Sequence, residues 1–542
     1  RRLFQTSSLS GAYDKTTYSY DDDGQLTKVT DPVGNHWDYG YDLLGRQTSA
    51  GDPDKGTSTM TYDAAGQVLT STDARGKTVA FTYDSLGRKT AEYDTSTSGP
   101  KLAAWTYDTV AKGQPASSTR YVGTDAYVTS VTGYDDGYRP LGTSVTLPTV
   151  EGALAGTYTS ATTYKPDGSV ATVSYPAAGG LAAETVTTTY TDTGVKATET
   201  GVDSYLAAAT YDYDGQVLQN ILGSGTRRVR LTNTFDAATR QMTTAQVETE
   251  HPGTPNTWDE QLTENYTWDA GGNITAISET HAGATVANQC FTFDPMHRLT
   301  EAWTTTATSC QSTPSQGIVD GAGSYWHSYT YDTIGRRTSQ VLHDTAGDTT
   351  HTYHYDSGQP HAVTSIDKAG PGGTSTDSYS YDTAGNTTGR PGPGGNAQTL
   401  TWDVEGELAK VTQGTQDTSF VYDADGNRLL RRDPDGVVTA YLGGTELRKD
   451  AADAVTATRY YGKTAIRTTS AGLTWLAGDH HGTGELAINA ATLNPTRRRL
   501  DPFGMDRGNP VAWPGEKGFV GGTQDPTGLT HLGAREYDPT LG

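Results

Sequence analysis

The chain has 542 residues with 40 basic against 63 acidic side chains, a formal net charge of -23; phosphate recognition needs clustered Lys and Arg, so nucleic acid is not an expected partner. Tyr (33) far outnumbers Phe (8) and Gly stands at 64, a composition that suits thin, half-wetted layers because tyrosine carries a polar tip on an apolar ring. No apolar run approaches the ~18 residues that span a bilayer, so no membrane span is expected.

The start at Arg1-Arg2-Leu3 lacks both an initiator Met and the charged-then-apolar order of a signal peptide, so export information is expected to lie outside the chain. From there, aromatic-Asp pairs recur at Tyr20-Asp21, Tyr41-Asp42, Tyr62-Asp63 and Tyr83-Asp84, each 21 residues after the last, with Gly24, Gly45, Gly66 and Gly87 four residues past each Tyr. Length alone leaves several ordinary domains open, but a period of ~20–50 residues marks a repeated unit that buries its face only against copies of itself. Within one unit Thr78, Ala80 and Thr82 alternate with Val79, Phe81 and Tyr83, the period of two of a strand. Asp84-Ser85-Leu86-Gly87 then joins an Asp able to bond backbone two residues on to a Gly free to take positive φ, which predicts a tight bulged hairpin with Arg88 to Glu92 running back. Further turn signals at Asp31-Pro32-Val33-Gly34 and Asp73-Ala74-Arg75-Gly76 predict an antiparallel meander.

The pattern weakens from Tyr138 to Tyr205, where longer loops or irregular hairpins are expected. It returns at Tyr211-Asp212, Phe235-Asp236, Trp268-Asp269, Phe293-Asp294, Tyr331-Asp332, Tyr381-Asp382, Trp402-Asp403 and Tyr422-Asp423, with a second weak stretch from Thr300 to Tyr325. Cys290 and Cys310 either pair, which would contribute roughly 3 kcal/mol through loop closure, or remain two thiols. Pro391, Pro393, Gly394 and Gly395 mark an excursion within the array, since the repeat resumes at Trp402. The basic run Arg497-Arg498-Arg499 reads as a solvated strand edge that resists pairing with other chains. No amphipathic helix is apparent, so an all-β chain is expected. Exposed hairpin edges favour one continuous wound ribbon or closed shell over separate beads.

Acid pairs at Asp21-Asp22-Asp23, Asp135-Asp136 and Asp423-Ala424-Asp425 fall at hairpin turns, so turn formation is expected of them and not glycosidase chemistry. Asp423 to Asn427 also departs from a calcium loop: its Gly comes too early and no bidentate Glu closes it. Asp479-His480-His481-Gly482 is assigned a structural role, because adjacent side chains on a strand point to opposite faces and no further His or Cys stands at ligand spacing. No metal and no cofactor are expected.

Tyr83-Asp84-Ser85-Leu86-Gly87-Arg88 and Tyr331-Asp332-Thr333-Ile334-Gly335-Arg336 resemble the YD repeats of bacterial Rhs proteins, of the C component of insecticidal Tc toxins and of animal teneurins. Toward the C-terminus, Asp479-His480-His481-Gly482-Thr483, Asp501-Pro502-Phe503-Gly504, Phe519-Val520-Gly521-Gly522, Asp525-Pro526-Thr527-Gly528-Leu529 and Gly533-Ala534-Arg535-Glu536-Tyr537-Asp538-Pro539 follow the order of the Rhs-associated core region. The resemblance divides the chain into a YD/RHS repeat array at 1–440 and an Rhs-associated core region at 441–542, incomplete at its C-terminus.

The resemblance implies a spiral β-ribbon of antiparallel hairpins wound into a large hollow shell that encapsulates a C-terminal toxin segment beyond Gly542. It implies a secreted or cell-surface bacterial protein, with secretion or delivery components as further partners. It also implies a self-cleaving aspartyl protease built from two Asp-Pro-x-Gly-Leu motifs. Asp525 matches the first aspartate, with Pro526, Gly528 and Leu529 completing the motif; the second copy would lie beyond Gly542. Aspartyl proteolysis needs two carboxyls sharing one proton, so the chain as it stands is expected not to cleave itself, whereas a longer parent would. The alternative is an extracellular adhesion or glycan-binding YD-repeat module whose exposed Tyr and Trp stack on sugars. A free hydrolase is a third reading.

Overall fold

The computed structural model describes residues 3–6, 13–311 and 313–542, so Arg1 and Arg2 lie outside the described residues. The expected all-β chain is what it shows: large antiparallel sheets interrupted by short 3-10 turns at Thr149–Leu154, Gln316–Ile318, Pro393–Gly395 and Phe519–Gly521.

The repeat explains the local structure. Strands Thr78–Tyr83 and Lys89–Asp94 pair antiparallel, with a register shift between Thr82 and Tyr83. Asp84 Oδ1 accepts the Leu86 and Arg88 backbone N–H groups at 2.9 and 3.0 Å, and Oδ2 accepts Arg88 Nε–H at 2.7 Å. Gly87 takes φ 83°, where a β-carbon would be strained. The same cap recurs at Asp42, Asp135, Asp294 and Asp332, each with an Arg four residues on. Where the repeat aromatic carries a donor, it reaches back across the sheet: Tyr41, Tyr62 and Tyr83 hydroxyls donate to the carbonyls of Leu26, Gln47 and Val68 at 2.9, 2.6 and 2.8 Å. Trp402 Nε1–H does the same toward Thr387 at 2.7 Å.

The chain divides into two compact units. The first, residues 1–106, 118–126 and 327–426, contains strands that pair with the next in sequence from Tyr13–Tyr20 to Lys89–Asp94. Two further runs extend from Arg337–Leu342 to Gly373–Ser378 and from Ser380–Tyr381 to Gln416–Tyr422. No residue from Asp14 to Thr78 is fully buried, which is the thin, half-wet layer that a tyrosine-rich composition favours. Polar contacts tie the runs together: Asp54 accepts the His361 backbone N–H at 2.8 Å, and Arg120, on the strand Pro115–Val122, donates from Nη2–H to Glu405 Oε1 at 2.9 Å.

The second unit, residues 107–117, 127–326 and 427–542, carries a thicker core. Its strands pair in chain order from Pro140–Leu147 to Ser204–Leu206, from Ala208–Tyr211 to Leu299–Thr305, and from Arg428–Arg432 to Pro495–Arg497. Leu222, Val229 and Val247 pack with Trp475, Leu486 and Ile488; each such side chain contributes roughly 1.5–3 kcal/mol by leaving water. A three-stranded sheet of Thr523–Gln524, Thr530–Leu532 and Arg535–Tyr537 follows.

Three local expectations need adjustment. The stretch from Tyr138 to Tyr205 does carry longer connections, at 148–155 and 176–183, but its strands pair regularly in sequence, because Thr and Val alternation suffices without the aromatic-Asp marker. The Arg497–Arg499 run is no solvated edge: Arg498 is buried over Trp513 and donates to the Gly484 carbonyl at 2.7 Å, while Arg499 Nε–H donates to Glu279 at 3.0 Å. Asp479 to Gly482 is a turn between Gly472–Gly478 and Gly484–Asn489, not a strand, so its histidines need not point to opposite faces. The open question of the cysteines closes as a Cys290–Cys310 disulfide with Cα atoms 5.6 Å apart. The weak stretch after Thr300 is the loop that follows Leu299–Thr305, with a 3-10 turn at Gln316–Ile318.

Candidate functional site

Asp525 closes the hairpin between Thr523–Gln524 and Thr530–Leu532. Its N–H donates to the Leu529 carbonyl at 2.9 Å, its own carbonyl accepts Gly528 N–H at 3.0 Å, and Gly528 takes φ 82°. Leu529 is buried beneath the turn and Pro526 is exposed. The backbone is therefore that of a repeat turn, but the carboxylate is fully buried and clamped. Arg428 Nη1–H donates to its two oxygens at 2.8 and 2.7 Å, and Arg431 Nη1–H donates at 3.1 Å.

The clamp belongs to a larger buried network. Arg428 Nη2–H also donates to Glu536 at 2.8 Å, and Glu536 bonds His531 Nδ1 at 2.8 Å across the paired strands. Arg431 grips Glu516 with two bonds of 2.6 and 2.8 Å and donates to Asp433 at 3.0 Å. The Tyr441 hydroxyl accepts from Arg431 at 2.8 Å and donates to Glu516 at 2.9 Å. Four carboxyls thus face two guanidiniums. Burial pushes the Asp525 and Asp433 carboxyls up, against the pull of the arginines, while His531 and Arg428 hold Glu536 below the usual range despite its burial. Asp525 is paired with cations here, and an acid-carboxylate dyad needs a second carboxyl in direct contact.

Such a carboxyl pair occurs elsewhere in this unit. Glu264 and Glu485 hydrogen-bond to each other, and the Tyr266 hydroxyl donates to Glu264 at 2.5 Å. Desolvation raises Glu264 to about 7 and Glu485 well above its ordinary value, so the pair holds a proton near neutrality. Glu485 borders a cavity of about 360 Å³ whose wall also includes Ile277, Phe291, His480, His481 and Phe519. Burial lowers the His480 ring to about 4, with His481 adding repulsion.

Other acids singled out from the sequence are turn formers. Asp135 caps Arg139, and Asp423 Oδ1 accepts Asp425 N–H at 2.9 Å; Asp425 itself accepts Trp105 Nε1–H at 3.0 Å and Ser118 Oγ–H at 3.1 Å. Sequence reasoning missed Arg428, Arg431, Glu516, Glu264 and Glu485. The available signal was the charged strand Arg428–Arg432, whose Arg-Leu-Leu-Arg-Arg replaces the usual Thr and Val.

An RHS Repeat family model matches residues 20–57 and 62–98. No characterised protein sequence matches the chain significantly. Among solved structures, TcdB2-TccC3 is similar with a TM-score of 0.73 at 17% identity, over 99% of this chain and 30% of that one. TcdB2-TccC3 without its hypervariable C-terminal region gives 0.72 at 16% identity, over 100% and 29%. The Photorhabdus luminescens Tc holotoxin pore, carrying a substituted TccC3, gives 0.73 at 17% identity, over 99% and 28%. The chain spans under a third of the length of these chains, and at this identity the likeness establishes the fold.

Proposed function

We propose that this chain, whose residues 20–57 and 62–98 match an RHS Repeat model and whose fold is like that of TcdB2-TccC3, forms wall material of a β-shell enclosing a polypeptide segment that follows it, in a secreted bacterial toxin. The observation that carries the reading is the unit-to-unit staple. Where the repeat aromatic is Tyr or Trp, the Asp caps its own turn and the aromatic donor bonds the preceding hairpin, so successive hairpins add edge to edge within a sheet and not as beads. The similar TcdB2-TccC3 carries a hypervariable C-terminal region, which is the kind of segment such a wall would hold. The Cys290–Cys310 disulfide suits an oxidising compartment. No helix among the described residues is long and apolar enough to cross a membrane.

Residues 441–542 act, in this reading, as the core region that closes the wall, and Asp525 supplies the first aspartate of a self-cleaving pair. The arginine clamp then has a role: it keeps Asp525 ordered until a second carboxyl displaces a guanidinium and shares its proton. Delivery components would act on the assembled shell. Expressing this chain beside the gene's full translation product tests the proposal by gel and mass spectrometry. A fragment released C-terminal to Asp525 from the longer product alone is the expected result; release from the 542-residue chain, or from an Asp525→Asn version of the longer product, would overturn the assignment.

A further inference from the structure

We propose that Asp479, His480 and His481 bind one divalent transition-metal ion of the zinc class, with a coordination position left open toward the adjoining cavity. The turn makes this arrangement possible. Asp479 N–H donates to the Thr483 carbonyl at 2.8 Å and Gly482 N–H returns to the Asp479 carbonyl at 2.9 Å, with Gly482 at φ 85°. In a strand the two imidazoles would diverge; in this turn their centroids lie 3.8 Å apart, tilted by 44°.

One ligand atom from each of the three residues lies within 4.8 Å of the others. Ligands at ~2.1 Å from one tetrahedral ion stand ~3.4 Å apart, so rotamer adjustments that close these atoms by about an ångström would complete the set. Asp479 uses Oδ1 to accept His481 N–H at 2.9 Å and Thr483 N–H at 2.8 Å, and its second oxygen remains for a cation.

An independent observation points the same way. Nδ1 of His480 is buried without a hydrogen-bond partner, and an unsatisfied buried polar atom is costly unless a water or an ion completes it. The ring is held edge-on to Tyr266 with centroids 5.4 Å apart, which restricts its turning outward. The surroundings are acidic, since Glu279 and Asp479 both act on the Glu264–Glu485 pair. Lys463 Nζ, near Gly482, and Arg498, which acts on Asp479 and Glu485, are opposing charges. Two imidazoles with one carboxylate select zinc, cobalt or nickel over calcium and magnesium, which take oxygen ligands. The cavity of about 360 Å³ beside the histidines leaves room for water at the open position.

Equilibrium dialysis of the untagged chain against zinc chloride, with metal content read by mass spectrometry, tests the site. One zinc per chain is expected. Asp479→Asn keeps the amide oxygen that caps the turn and removes the charge, and His481→Ala alters an exposed ring that the core does not need; each should weaken zinc binding about ten-fold or more, with unchanged far-UV circular dichroism. Replacing zinc by cobalt should give visible absorption that His481→Ala alters. Absence of zinc uptake by the parent chain would overturn the proposal, and so would equal affinity in both variants, which would place the metal on other histidines such as His327, His343 and His351.

Discussion

The hydroxyl of Tyr83 donates a 2.8 Å hydrogen bond to the backbone carbonyl of Val68, fifteen residues earlier and one hairpin away. The same separation joins Tyr41 to Leu26, Tyr62 to Gln47, Tyr211 to Lys196 and Trp402 to Thr387. The aromatic of the repeat is thus a cross-strand staple: its ring covers the sheet while its donor satisfies a carbonyl of the preceding unit. Tyr and Trp both supply that donor.

Tyr83→Phe keeps the ring and deletes the donor, so a loss of about 1 kcal/mol is expected, read as a lower urea midpoint with unchanged slope. Asp84→Ala should destabilise as well by removing acceptors from Leu86 N–H, Arg88 N–H and Arg88 Nε–H, while Asp84→Asn retains the Oδ1 cap and should fall between the two. Equal stability of all variants would show that the staple and cap are incidental.

Arg431→Met should be among the most destabilising single changes in the second unit. The guanidinium is buried and serves Glu516, Asp433 and Asp525 together; removing it leaves uncompensated buried charge, at a cost of roughly 3–5 kcal/mol. Thermal melts of the purified chain check this. A double change that also neutralises Glu516 should recover part of the loss.

The pH dependence should differ in sign between the two units. Glu264 and Glu485 have folded-state values raised above their unfolded ones, so their contribution is complete below about pH 4.5 and is lost as pH rises through about 7. Glu485→Gln should therefore stabilise the second unit at about pH 8 and have little effect at about pH 5. In the first unit, burial lowers His327 and His351 to about 4, with His343 and Arg337 adding repulsion around His327 and Lys368 around His351. Their contribution is present above the unfolded value of 6.5 and is lost as pH falls through about 4. Hydrogen exchange across the pH range, resolved by peptide, separates the two trends.

Reduction of the Cys290–Cys310 bridge opens a loop of sequence separation 20, for which loss of chain-entropy stabilisation of roughly 3 kcal/mol is expected. A melt with and without reductant measures it, with Cys290→Ser/Cys310→Ser as the control.

The repeat array was legible because its physics is local: an Asp that caps a turn and a Gly at positive φ four residues past each Tyr announce themselves wherever they recur. The sites were less legible because their partners are distant in sequence. Nothing near Asp525 indicates that Arg428 and Arg431 clamp it, and nothing near Glu264 names Glu485, since burial and pairing across strands are set by tertiary packing. At Asp479-His480-His481 the turn was legible too, since Gly482 stands at the very spacing that signals a turn at Asp84 and Gly87, but the convergence of the two histidines depends on that turn and not on their adjacency.

The most direct test of the enclosing-wall account is limited proteolysis of the gene's full translation product, followed by mass spectrometry of the region after Asp525. The account expects that region to resist protease at concentrations that digest the same segment expressed alone, with protection lost when the wall is unfolded. Digestion at equal rates in both settings would contradict it.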